Sequence, residues 1–440
     1  MRRLAAVLSG IPLFLAIHCK PWGMIPVGVS IASLATVLLF AALCFLRAKQ
    51  RLESVRSAFS ALGNAALIAF LASAVLSGTV WIGLAFRMLP EEWKPWLLGV
   101  GVCVLLEAVV FWFGILTVYA TSVQLGIGLR ILGVAFGMIP VANLIVLILL
   151  IHTVDRELKV KAEKNAVNRA RADLRVCATR YPILLVHGVF FRDSRYFNYW
   201  GRIPAELERN GAKIYYGNHQ SALSVADSGE EIAARIREII KETGCEKLHV
   251  IAHSKGGLDC RWALAHCNVA PYVASLTTIN TPHRGCEFAD YLLARAPKKM
   301  RNGVAAAYRR ALLCFGEENP DFLAAVGDLT AERCRVLDAE MPLPDDVICQ
   351  SVGSVLSKAT GGQFPLNFSY HLVKYFDGPN DGLVGESSLR WGNRYILLTT
   401  TAKRGISHGD VIDLNRKDLP DFDAREFYVQ LVSELRENGG

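Results

Sequence analysis

What the sequence lacks first is charge across its first third. Residues 1–152 carry 10 Lys/Arg and 4 Asp/Glu, whereas residues 153–440 carry 38 and 36. The two stretches are built for different solvents, and 440 residues are too many for one ordinary domain. Metal-ligand spacing is missing too. None of the 11 cysteines forms a CxxC pair or a zinc-finger pattern, which excludes a zinc module of that kind. Most lie among apolar or small residues and read as reduced, packed thiols. A third lack is a basic surface on the polar stretch. The net charge of +8 divides into +6 before residue 153 and +2 after it, so nothing there marks a nucleic-acid partner. The polar stretch also shows no internal repeat.

What is present before residue 153 is apolar length. A transmembrane helix needs ~20 mostly apolar residues to cross ~30 Å of hydrocarbon. Stretches 25–46, 62–86, 96–119 and 131–151 meet that length, and Glu107 is the single formal charge inside them. A shorter run, 4–17, holds Pro12 and counts as a fifth span. Residues 1–152 are therefore read as an all-α transmembrane region of about five spans. Trp81, Trp93 and Trp96 fall near the ends of runs, where indole rings favour the membrane interface. An intramembrane acid is costly, but one acid makes no pathway, so Glu107 reads as structural.

Orientation is contradictory in the sequence. Arg47, Lys49, Arg51 and Arg56 follow one run, and Arg156, Lys159, Lys161, Lys164, Arg169 and Arg171 follow the last. Both clusters favour the cytoplasm, yet three spans between them put them on opposite faces. Long domains translocate largely regardless of charge, and the polar stretch after the last run is expected outside the cytoplasm. Residues 153–178, rich in Lys, Arg, Glu and Ala, read as a polar helical linker.

From residue 179 strands alternate with helices. Apolar runs at 181–186, 213–216, 248–252 and 273–279 are separated by helical patterns at 205–210, 228–243 and 257–266. Later strands are expected at 347–352 and 395–400, and a closing helix at 424–436. Such alternation means a mostly parallel sheet with helices on both faces.

One of these strands carries the chemistry. Leu248–His253 runs into Ser254-Lys255-Gly256-Gly257. This is the strand, small-x-Ser-x-Gly and helix of a nucleophile elbow, a turn too sharp for bulky side chains two residues either side of the serine. Gly256 meets that requirement and Ala252 meets it loosely. A serine needs a base, and the base needs an orienting acid, in the order Ser, acid, His for an α/β-hydrolase. Asp381, in Asn380-Asp381-Gly382, and His408, in Ser407-His408-Gly409-Asp410, supply that order. His266, His283 and His371 are weaker bases, and Asp377 and Asp413 weaker acids. An oxyanion hole needs two backbone N–H groups. Lys255, next after the nucleophile, and Val189, after the first strand, are the candidates. His187 reads as a loop anchor.

Four segments together resemble the true bacterial lipases of the Pseudomonas–Burkholderia type. They are YPILLVHG at 181–188, LHVIAHSKGGL at 248–258, SLTTINTPHRGCEFADYL at 275–292 and NDGLVGESSLRWG at 380–392. The resemblance covers roughly residues 180–415 and implies an α/β-hydrolase fold, a mobile lid (297–342) and hydrolysis of acylglycerol esters through an acyl-enzyme. It matches Ser254, Asp381 and His408 as triad and Val189 and Lys255 as oxyanion donors. It also implies one structural calcium, with Asp410 as a ligand, and no cofactor for the chemistry. Ala252 and the apolar first third depart from the family pattern. A lipid or other hydrophobic ester and the membrane are the expected partners. An esterase, phospholipase or acyltransferase with the same triad is the nearest alternative. A non-catalytic membrane scaffold with a hydrolase-like binding domain is the alternative of another class.

Overall fold

The computed structural model describes residues 2–20, 22–88, 91–137, 139–189, 198–295, 297, 299, 302, 306, 321–363, 366–401 and 403–437. The chain divides into two compact units, Met1–Ala170 and Arg171–Gly440.

The first unit is all helix. Two short helices, α1 (Arg2–Leu8) and α2 (Gly10–Ile17), precede α3 (Val27–Leu52), α4 (Val55–Met88) and α5 (Trp93–Thr121). Among the described residues, these last three are the helices long and apolar enough to cross a membrane. Small residues let α4 and α5 approach closely. A Cβ built on Gly63 would lie 2.9 Å from the Thr117 Cβ, and one on Gly114 would lie 2.6 Å from Leu67. This is the packing device expected where apolar burial cannot drive association. Glu107 of α5 is buried and accepts the hydroxyls of Ser73 (3.0 Å) and Ser77 (2.6 Å), one turn apart on α4.

At both ends of this unit the expected spans are interrupted. The run 4–17 is divided at Ser9 into α1 and α2, each too short to cross. The run 131–151 is divided as well, into α6 (Gly126–Phe136) and α7 (Pro140–Ala170). Pro140 is the cause. Proline has no N–H to donate and its ring collides with the preceding turn, so it opens a new helix instead of continuing one. α7 then runs on through the polar residues to Ala170 without a break.

The second unit is built on a six-stranded sheet. Its strands are β1 (Ile183–Val186), β2 (Ile214–Tyr216), β3 (Leu248–His253), β4 (Val273–Ile279), β5 (Ile348–Ser354) and β6 (Arg394–Leu398). They lie in the order β2-β1-β3-β4-β5-β6, and every pairing is parallel. The alternation of side chains along β1 supplies both faces. Ile183 and Leu185 pack with Trp200 and Tyr428 on one side. Leu184 and Val186 pack with Ile232 and Ile236 on the other. Helices α8 (Ile203–Arg209) and the closing α16 (Ala424–Glu437) cover the first face. Helices α9 (Val225–Thr243) and α10 (Lys255–His266) cover the second. This is an α/β-hydrolase fold preceded by a helical region. In the segment expected as a lid, residues 298, 300, 301, 303–305 and 307–320 lie outside the described residues. Its far end holds the helices α12 (Phe322–Gly327) and α13 (Ala331–Glu340). Among the described residues, the ten cysteines form no disulfide.

Candidate active site

The nucleophile elbow is built from backbone constraints. Ser254 sits between β3 and α10 with φ 55° and ψ −134°, a left-handed conformation unusual for a residue with a Cβ. Its N–H donates to the carbonyl of Ile279 at 2.9 Å, tying the turn to β4. The small residues have identifiable neighbours. A Cβ on Gly256 would meet the His187 carbonyl oxygen at 2.3 Å, and one on Gly257 would meet the Thr281 Oγ1 at 2.1 Å. Ala252, where the elbow pattern favours glycine, is fully buried between Val186 of β1 and Thr278 of β4.

Two residues from more than a hundred positions away meet this serine. His408 Nε2 lies 3.0 Å from Ser254 Oγ, and His408 Nδ1 lies 2.6 Å from Asp381 Oδ2. Asp381 is fully buried and receives four donors. Its Oδ1 accepts the N–H groups of Leu383 (2.9 Å) and Val384 (2.7 Å), and its Oδ2 accepts the Asn280 amide (2.7 Å) besides the imidazole. The backbone N–H of His408 donates to the Asp381 carbonyl at 2.9 Å, so the pair is fixed through main chain as well. The elbow, Asp381 and His408 all follow carboxyl ends of the sheet strands, the edge where open α/β sheets place their sites.

The residues assigned to the oxyanion hole flank the elbow. The loop at His187–Val189 presses on it, since a Cβ on Gly188 would come within 2.7 Å of the Ser254 Cβ. Lys255 opens α10, whose amino end directs partial positive charge at the turn. Its side chain points away into the core. There Nζ donates to Asp259 Oδ1 at 2.7 Å and to Ser228 Oγ at 3.0 Å, fully buried. Burial pushes the Asp259 carboxyl up to about 7 against the opposing pull of Lys255.

Each competing residue is occupied elsewhere. His283 bonds Thr278 Oγ1 at 2.9 Å and stacks on Trp391. His266 packs on the Trp262 ring, and His371 packs on Tyr370. Asp377 accepts the first N–H groups of α11 (Glu287–Arg295). Asp413 grips the Arg202 guanidinium through both oxygens at 2.8 Å. His187 bonds its own loop at Gly188 O and stacks on His219.

Three further residues of the site carried no sequence signal of their role. Asn280 positions Asp381, and Tyr199 and His253 lie behind the elbow. The TINTP and NYW segments contain two of them, but an amide or phenol in a motif does not announce its partner.

The calcium implied by the resemblance does not fit Asp410. Arg404 reaches both of its oxygens, Nη1 to Oδ2 at 2.8 Å and Nη2 to Oδ1 at 3.2 Å. Ser407 adds its N–H and its hydroxyl to Oδ2. A guanidinium already neutralises the carboxylate, and a hard cation needs several oxygens of its own. Among the described residues, no group of three or more His, Cys, Asp or Glu could hold a metal ion.

No family model matches the chain. Curated proteins do. A triacylglycerol lipase of Pseudarthrobacter phenanthrenivorans is 38% identical over 178 residues, 38% of this chain and 55% of that protein. One of Burkholderia plantarii is 38% identical over 178 residues, 38% of this chain and 49% of that protein. The chain thus spans about half the length of these two relatives. A triacylglycerol lipase of Vibrio cholerae is 30% identical over 239 residues, 49% of this chain and 75% of that protein. Among solved structures, Staphylococcus hyicus lipase aligns with a TM-score of 0.46 at 17% identity, covering 59% of this chain and 96% of that one. On the match that spans three quarters of the Vibrio protein, this chain belongs to the triacylglycerol lipase family.

Proposed function

We propose that this chain is a membrane-anchored serine hydrolase that cleaves carboxylic esters of lipids, acylglycerols first among them, through an acyl-enzyme. The observation that carries the reading is the continuous contact from Ser254 Oγ through His408 to Asp381, at 3.0 and 2.6 Å. His408 takes the serine proton as Oγ attacks the ester carbonyl. Asp381 holds the imidazole in the required tautomer and stabilises the imidazolium. The N–H groups of Val189 and Lys255 receive the oxyanion, each contributing ~2.7–4 kcal/mol to the transition state. His408 then protonates the departing alkoxide, and a water deprotonated by the same imidazole releases the acid. A fluorophosphonate probe and a triacylglycerol emulsion test the reading on the full chain. Labelling and fatty-acid release are expected from the parent and from neither Ser254→Ala nor His408→Ala. A parent that is folded, unlabelled and inactive sinks it.

We infer further that the hydrolase unit lies on the cytoplasmic face, against the expectation drawn from the translocation of long domains. The sequence count put three spans between the basic clusters and so left their charges in conflict. In the helical unit, α4 and α5 lie between them, and α6, ~16 Å long at 1.5 Å per residue, is too short to cross. The two clusters then share one end. Arg169 pairs with Glu53 at 2.9 Å, the Asn165 amide donates to the Arg51 carbonyl at 3.3 Å, and Arg3 pairs with Asp155 at 2.8 Å. A single basic end satisfies the positive-inside rule, and the hydrolase unit follows directly from it at Arg171. Protease added to intact cells is expected to leave a carboxy-terminal tag whole and to remove it after lysis. Loss of the tag from intact cells reverses the assignment.

A further inference from the structure

The residue just before the nucleophile has bonds that the triad does not require. His253 is buried, and its two ring nitrogens meet partners on opposite sides. Nδ1 lies 2.6 Å from the Tyr199 hydroxyl, and Nε2 lies 3.1 Å from the carbonyl oxygen of His408. A carbonyl only accepts, so Nε2 carries the proton and Nδ1 is a bare acceptor. The Tyr199 hydroxyl must then donate to Nδ1, and its oxygen accepts. The Gly188 N–H supplies that bond at 3.1 Å. The donors run in one direction: Gly188 N–H to Tyr199, Tyr199 O–H to His253, His253 Nε2–H to His408. Burial, reinforced by the neighbouring His408, holds the His253 pKa well below the ordinary imidazole value. The ring therefore stays neutral.

We propose that Tyr199 and His253 are positioning residues that couple the oxyanion loop to the backbone of His408, so that hole and base are set by one buried chain of hydrogen bonds. The proposal rests on the catalytic reading above. Its physical ground is where the two parts come from. Gly188 follows β1 and His408 follows β6, with β3, β4 and β5 between them in the sheet. No ladder bond joins β1 to β6 directly. His253 stands at the end of β3, and its bonds reach both ways. With the His408 N–H already on Asp381, the His408 peptide groups are held from both sides. A displacement of ~1 Å at either part can cost ~10²-fold in rate.

Tyr199→Phe removes one hydroxyl and keeps the ring. It leaves His253 Nδ1 and the Gly188 N–H buried without these partners, and kcat for a short soluble ester is expected to fall about tenfold. KM should stay within about twofold, and binding of an alkyl boronic acid, which forms a tetrahedral anion on Ser254, should weaken by the same factor as kcat. His253→Gln can still aim an amide N–H at the His408 carbonyl, so its turnover should exceed that of His253→Leu. Near-parental kcat in folded Tyr199→Phe overturns the relay while leaving the catalytic reading intact. So does equal turnover in the two His253 variants. A parent without Ser254-dependent turnover overturns the catalytic reading, and the relay with it.

Discussion

Two buried acids, one in each unit, show how differently the two halves of the chain use a carboxyl group. Glu107 receives two serine hydroxyls on a single oxygen. Hydroxyls rotate, so this acid is accommodated by groups that follow it. Asp381 receives two backbone N–H groups, an amide and an imidazole spread over both oxygens. Those donors are fixed by the turn at 380–384, by the residue that follows β4 and by the loop after β6, so this acid is aimed. Fixed donors are what catalysis needs, because dipoles already in place cost no reorganisation as charge develops. Adjustable donors suffice where an acid only has to be kept satisfied among apolar helices.

The largest effect expected from breaking this contrast is at the aimed acid. Asp381→Asn keeps the shape but turns an acceptor into a donor facing His408 Nδ1, and kcat should fall ~10⁴-fold with little change in thermal unfolding. Stopped-flow measurement with an activated ester reads it. Next comes the frame of the site. Gly256→Ala forces a Cβ to within 2.3 Å of the His187 carbonyl. Loss of ~1–3 kcal/mol of stability is expected from such overpacking, measured by urea unfolding followed through tryptophan fluorescence. Arg404→Ala strands Asp410 beside the base, and turnover should drop about tenfold, in line with an uncompensated buried charge. Excess EDTA should leave the parent's turnover unchanged, and a fall on chelation contradicts the assignment of Arg404. The smallest effect is at the accommodated acid. Glu107→Gln keeps an oxygen for Ser73 and Ser77, and hydrolysis of a soluble ester in detergent should stay within about twofold of the parent. A large loss there makes Glu107 part of the chemistry.

How much could be read without coordinates follows the range of the interactions involved. Strands and helices of the hydrolase unit are local patterns. The stripe Ile232, Ile236 and Ile239 marks α9 by its spacing, and all three residues are buried. The elbow is local too, since glycine and serine within four residues carry its geometry. The helical unit was harder. A hydropathy window averages across Pro140, so one apolar run hid two helices, and with them the placement of both basic clusters. The polar residues of the site were hardest. Arg404 could be seen as a charge, but not as the partner of Asp410. Tyr199, His253 and Asn280 draw their meaning from groups 54 to 155 residues away, a separation no spacing rule covers.

The fork between Arg404 and Asp410 has a consequence for where such a protein can work. An ion held by coordination leaves at a rate and rebinds at a concentration, so a loop that depends on one inherits the mineral content of its surroundings. A guanidinium six residues along the same chain has no dissociation constant at all. Dilution, chelating lipids or a calcium-poor compartment do not remove that contact, because the partner is part of the polypeptide itself.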